Sequence, residues 1–165
     1  MKLELKNKTN FNLKLFLLTL VAIEIVVCYY AYYILGEVKQ FFCFLILSLN
    51  ILPFLLYYFK IKKIAFILGL TIGLLLIPYQ SFLLVKWVSL KKESAQIIKY
   101  IYGYQKNNGE FPQSISHYEF KNPNLIGYFT YNTSLNGFGL QYCIGTKGTT
   151  HYYYHNDGKW EYYPD

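Results

Sequence analysis

The chain has 165 residues, of which 54% are hydrophobic, 21% aromatic and only 15% charged. This composition excludes a disordered chain, which needs low hydrophobicity and high net charge, and it exceeds what a soluble domain of this size can bury. The formal charge of +7 comes from lysine without any arginine, so bidentate guanidinium recognition of phosphate is excluded as well.

In chain order, a basic tail at 1–14 carries Lys2, Lys6, Lys8 and Lys14. Three apolar runs follow, at 15–35 with Glu24 as its one charge, and at 41–59 and 64–85 with none. At about 1.5 Å per residue each reaches roughly 30 Å, the thickness of a bilayer's hydrocarbon core. The runs predict three transmembrane helices within 15–88, and the short connections at 36–40 and 60–63 make neighbours antiparallel. Tyr29, Tyr30, Tyr32 and Tyr33 crowd one end of the first run, Tyr57 and Tyr58 end the second, and Trp87 follows the third. Amphipathic rings gather at headgroup depth. No small-residue cleavage site follows the first run, so it reads as a retained anchor and not a signal peptide.

Lysine sets the expected orientation. The tail and the second connection, with Lys60, Lys62 and Lys63, are basic, whereas the first connection has Lys39 beside Glu37. The positive-inside rule places the N-terminus in the cytoplasm and the segment after the third span outside, the periplasm of a two-membrane bacterium. Lys86, Lys91 and Lys92 run against this assignment. Residues 1–93 hold eleven lysines against four glutamates, and 94–165 hold five lysines against five acids. The basicity is therefore a membrane signal, and nucleic-acid binding is excluded for want of a basic stripe on the polar part.

Glu24 and Asn50 each lie nine residues into their spans from opposite ends, so they are expected to meet near the midplane. Such a pair reads as hydrogen-bonding glue between helices, or, with an intramembrane carboxyl, as an ion or proton site. Gly69 and Gly73 form a small-residue notch for close approach of a neighbouring helix or, in a homo-oligomer, a second copy. Pro53 and Pro78 predict kinks.

From Val88 on the pattern changes. Ile97, Ile98, Ile101, Tyr102 and Tyr104 give 89–107 a loosely amphipathic helical period that continues the third span. Asn107, Asn108 and Gly109 stop it, and Pro112 forbids continuation. Short strands are predicted at 126–132, 137–144, 150–155 and 159–163, with Asn156, Asp157 and Gly158 as a hairpin turn. The fold class is thus a three-span α-helical membrane region followed by a small extracytoplasmic α+β domain at 89–165, a long helix and an antiparallel β-meander.

The passage from Tyr104 through Gly109, Phe111 and Pro112 resembles the segment that ends the long helix of type II secretion pseudopilins. The resemblance extends over roughly residues 64–165. It implies a helix, a loop and a small antiparallel sheet, displayed for protein contacts in the bacterial envelope. The chain departs from the family in lacking a prepilin-peptidase signal and in carrying two additional spans before the pilin-like helix, so the resemblance is to a permanently moored domain.

Little points to catalysis. Cys28 and Cys43 lie in membrane runs, and Cys143 stands alone as an expected buried strand residue. His151 and His155 would share a strand face, yet four residues at about 3.3 Å each hold them roughly 13 Å apart, too far for one metal. No hydrolase, metalloprotease or phosphate-binding motif occurs, and no cofactor or metal is expected. The positive feature is aromatic: Tyr152, Tyr154, Trp160 and Tyr162 around the last hairpin form the candidate interaction surface, because Tyr and Trp are enriched where proteins bind. The sequence thus reads as a multi-pass inner-membrane protein, not an enzyme, displaying a periplasmic domain to an envelope protein partner. The alternative is a small membrane immunity protein that neutralises a membrane-acting toxin.

Overall fold

A computed structural model describes residues 2–134, 137–144 and 149–163, with side chains from residue 12 onward; residues 164–165 of the expected domain lie outside the described residues. Four helices come first: α1 (Lys2–Leu35), α2 (Glu37–Ser48), α3 (Ile51–Tyr58) and α4 (Lys62–Asn108). A 3-10 turn at Pro123–Tyr128 leads into β1 (Phe129–Ser134), β2 (Gly137–Tyr142), β3 (Thr150–Tyr154) and β4 (Lys159–Tyr163). The strands form one antiparallel meander in the order β1-β2-β3-β4. Contacts divide the chain into two units, Met1–Tyr32 with Glu37–Phe82 and Tyr33–Gly36 with Leu83–Asp165.

In the helical unit, three segments are long and apolar enough to cross a membrane: Asn12–Leu35, Glu37–Tyr58 and the apolar part of Lys62–Asn108. Each buries one stripe. On α1 it is Leu17, Glu24, Val27, Cys28 and Ala31, at the three- and four-residue spacing of one helix face. The opposite faces expose large apolar side chains, among them Leu18, Val26, Phe42, Leu74, Leu75 and Phe82. Gly69 and Gly73 are where α4 meets α1. A Cβ at Gly69 would lie 2.6 Å from Leu17 Cδ2, and one at Gly73 would lie 2.8 Å from Leu20 Cδ1. The glycine notch is thus filled within the chain.

Pro53 does more than kink its helix. It lacks an N–H, and its ring excludes the usual partner carbonyl four residues back, that of Leu49. Leu49 O accepts from Leu52 N at 3.0 Å instead, and Leu49 and Asn50 separate α2 from α3. Pro53 consequently sits in the first turn of a new helix, where proline is tolerated. Pro78, by contrast, lies inside α4, which remains continuous around it.

In the second unit, α4 turns Ile97 and Ile101 toward Phe138, Leu140 and Tyr153, with Phe111 closing the same core. Gly109 stops the helix at φ +80°, a left-handed conformation that glycine adopts without a Cβ penalty, and its N–H donates to Gln105 O at 2.8 Å. Two residues on, Phe111 lies 5.3 Å from the Phe138 ring, and Pro112 O accepts from Tyr131 OH at 2.8 Å. The loop beyond is tied to α4 by buried Glu93, which accepts from Tyr118 OH at 2.8 Å and from Lys121 N at 3.1 Å. Burial and the adjacent Glu93 carboxyl together push the Tyr118 phenol well above its usual range.

The first expected strand starts late. Pro123 presets a helical φ, Asn122 caps the turn by accepting from Asn124 N, and residues 126–128 are taken into the 3-10 turn with Leu125 as its buried anchor. Cys143 is likewise not a strand residue: β2 ends at Tyr142, and Cys143 is half-buried just beyond it.

Candidate functional site

The sheet has two unlike faces, set by pairing register. Facing α4 are two rows that cross all four strands. One is Phe129, Tyr142, His151 and Tyr162; the other is Tyr131, Leu140, Tyr153 and Trp160. The outward face carries Thr130, Gln141, Tyr152 and Glu161 in one row, with Asn132, Gly139, Tyr154 and Lys159 in the next. Side chains alternate strictly along a strand, so these two sets cannot mix.

The four aromatic residues of the expected interaction surface are therefore separated. Tyr152 and Tyr154 point outward with Tyr163, their rings parallel within 4° at 6.0 Å and Tyr163 edge-on to Tyr152 at 5.2 Å. Trp160 turns inward, half-buried against Tyr153 and Tyr142 at 5.5 and 5.4 Å. Tyr162 shares that inner face and meets His151 edge-on at 5.0 Å. On the outward side, Gly139 has no atom within 4 Å of where a Cβ would stand. Beside it, Asn132, Gln141, Tyr152 and Tyr154 line a cleft of about 350 Å³.

His151 is the inner face's most enclosed polar group, fully buried and stacked on Tyr142 at 4.6 Å. Its Nε2 is 2.7 Å from the backbone carbonyl of Tyr33, in the last turn of α1. A carbonyl can only accept, so Nε2 carries the proton and Nδ1, which has no partner among the described residues, bears the lone pair. Carbonyls in a helix's last turn have no partner within the helix, and His151 supplies one. Burial lowers the imidazole pKa, the Tyr33 carbonyl opposes that shift, and Lys91 adds to it. Tyr33 stacks on Trp87 at 6.2 Å and meets Tyr162 edge-on at 5.6 Å. His155 has different surroundings, 3.0 Å from Tyr102 OH and packed on Phe111 at 4.8 Å. His117 is exposed. Among the described residues no three His, Cys, Asp or Glu side chains gather closely enough to hold a metal ion.

In the helical unit, Glu24 and Asn50 are brought together. Glu24 is fully buried, and Asn50 Nδ2 donates to its Oε2 and to Leu47 O at 3.1 Å. Comparison with known families, with curated proteins and with solved structures returns no match for this chain.

Proposed function

We propose that this chain is a three-span membrane protein that holds its sheet unit outside the membrane as a docking module for an envelope protein, and that it catalyses no reaction. The observation that carries this reading is the outward sheet face. Most of the sheet's other side, Leu140, Tyr153, Tyr131 and Trp160 among it, packs with Ile97 and Ile101 of α4, whereas Tyr152, Tyr154 and Tyr163 stand together on the outward face beside the Gly139 cleft. Rigid rings with a polar tip give large contact area for little lost entropy. The basic tail and second connection support a cytoplasmic N-terminus, and three crossings then carry the sheet unit to the periplasmic side of a bacterial inner membrane. Of the three lysines that run against that orientation, Lys86, Lys91 and Lys92, two lie over rings: Lys86 Nζ is 3.9 Å from the Tyr128 ring centroid and Lys91 Nζ 5.3 Å from that of Trp87. The Gly109, Phe111 and Pro112 passage, similar to that of pseudopilins, is consistent with a display domain moored by its own helix.

The test is site-specific photo-crosslinking in the native envelope. A photoreactive residue at Tyr154 is expected to give a discrete protein adduct, and one at Trp160 on the inner face none. Equal adducts from both sites, or none from Tyr154, would rule out the outward face as the docking surface.

A further inference from the structure

We propose that Glu24 is a proton-binding site inside the membrane unit, a neutral carboxylic acid held against the break between α2 and α3. Two independent features meet there. The first is the interruption itself: Leu49 and Asn50 leave the helical ladder in the middle of an apolar segment, nine residues from Phe59. Backbone irregularity at membrane depth is tolerated where it is enclosed by protein, and broken helices of this kind recur at ion and proton sites. The second is the carboxyl. It is fully buried, one oxygen is held by Asn50, and the other, Oε1, has no partner among the described residues.

Charge balance decides the occupant. Among the described residues no cation is paired with Glu24, and a bare carboxylate enclosed with a single hydrogen bond is strongly disfavoured. Either a proton or a metal cation must neutralise it. Asn50 settles which. Its Nδ2 also donates to Leu47 O, a pure acceptor, so the amide presents N–H and not oxygen to the carboxyl. A cation would find one free oxygen and a competing donor, which is no coordination cage. A proton on Oε1, with Oε2 accepting from Asn50, removes the buried negative charge and leaves only a neutral O–H without a partner among the described residues, a far smaller cost than a bare carboxylate. Among the described residues, the titratable groups that interact with Glu24 or with its neighbours are thiols: Cys28, one turn along α1, and Cys43 of α2, with which Cys28 interacts. Gln80 of α4 donates to Cys43 Sγ at 3.3 Å, and its own Oε1 is a second buried acceptor without a partner. The polar interior of this unit thus continues past Glu24 as neutral groups, which neither repel a proton nor replace it.

The test uses the full chain in lipid nanodiscs and two probes. Infrared difference spectra at neutral pH, wild type against Glu24→Gln, are expected to show the carbonyl band of a protonated acid that shifts in D₂O and is lost in the variant. Dicyclohexylcarbodiimide, a lipid-soluble reagent for the acid form, is expected to modify Glu24 with a yield that rises as pH falls and is indifferent to sodium. An ionised-carboxylate band, or protection by sodium, would overturn the proposal. So would an acid band that neither exchanges nor labels, since Glu24 would then be sealed structural glue. The labelling arm needs only the wild-type chain, so it stands even where Glu24→Gln fails to insert.

Discussion

His151 shows how one side chain can set the pH response of a whole unit. Unfolded, its imidazole titrates near the ordinary value of about 6.5; folded, burial holds it lower. The unfolded chain therefore binds the proton first, so stability is full above pH 6.5 and declines as pH falls toward the folded value, by at most about 1.4 kcal/mol per pH unit. Trp87 and Trp160 are the chain's two tryptophans, and both belong to the sheet unit, so their fluorescence reports its unfolding selectively. Urea titrations in detergent are expected to show wild type losing stability below pH 6.5 and His151→Gln, which keeps a donor for Tyr33 O, losing less. Phe111→Ala is expected to cost about 3–5 kcal/mol in the same assay, because its ring plugs the gap between Ile101 and Phe138. The contrast between these residues explains what was legible. Gly109 and Pro112 end the helix through their own backbone geometry, so the sequence carries that signal even though Phe111 and Pro112 find their partners, Phe138 and Tyr131, further along the chain. His151 acts on Tyr33, 118 residues away, and nothing near position 151 announces it.

At the scale of elements, run length and hydropathy located the apolar helices, but packing decided their details. Pro53 was readable as a disruption; that the break it makes coincides with Asn50, donating to Glu24 and to Leu47 O, is settled by packing between helices. The last hairpin was more readable than the alternation of its strands suggests. Its closing pair is Tyr154 and Lys159, leaving four residues in the loop. An even loop pairs even positions with odd ones, so Tyr152 and Tyr154 share a face with Glu161 and Tyr163, never with Trp160 and Tyr162. Loop length thus separates the candidate surface into an outward and an inward set. Between helices, Gly73 sets the approach of α1 to α4. Gly73→Ala would crowd the Leu20 side chain, with Cδ1, Cδ2 and Cγ at 2.8, 3.1 and 3.2 Å, which a turn of that side chain relieves, whereas Gly73→Leu must push the helices apart. The leucine variant is expected to lose about 1–3 kcal/mol, read as a lower melting temperature by circular dichroism, with the alanine variant close to wild type.

The whole molecule combines three helices long and apolar enough to cross a membrane with a four-stranded sheet whose outward face carries an aromatic cluster. The proposed docking role needs that cluster on the far side of three membrane crossings, an orientation that the uneven lysine distribution favours. Topology therefore tests the central claim more directly than any single substitution. Paired reporters, one active only outside the cytoplasm and one active only within it, can be fused in turn at the 60–63 connection and at the C-terminus. The account predicts the cytoplasmic reporter active at the connection and the extracytoplasmic reporter active at the C-terminus. Both fusions active on the same side would remove the third crossing, and the reversed pair would put the sheet unit in the cytoplasm; either result contradicts the account.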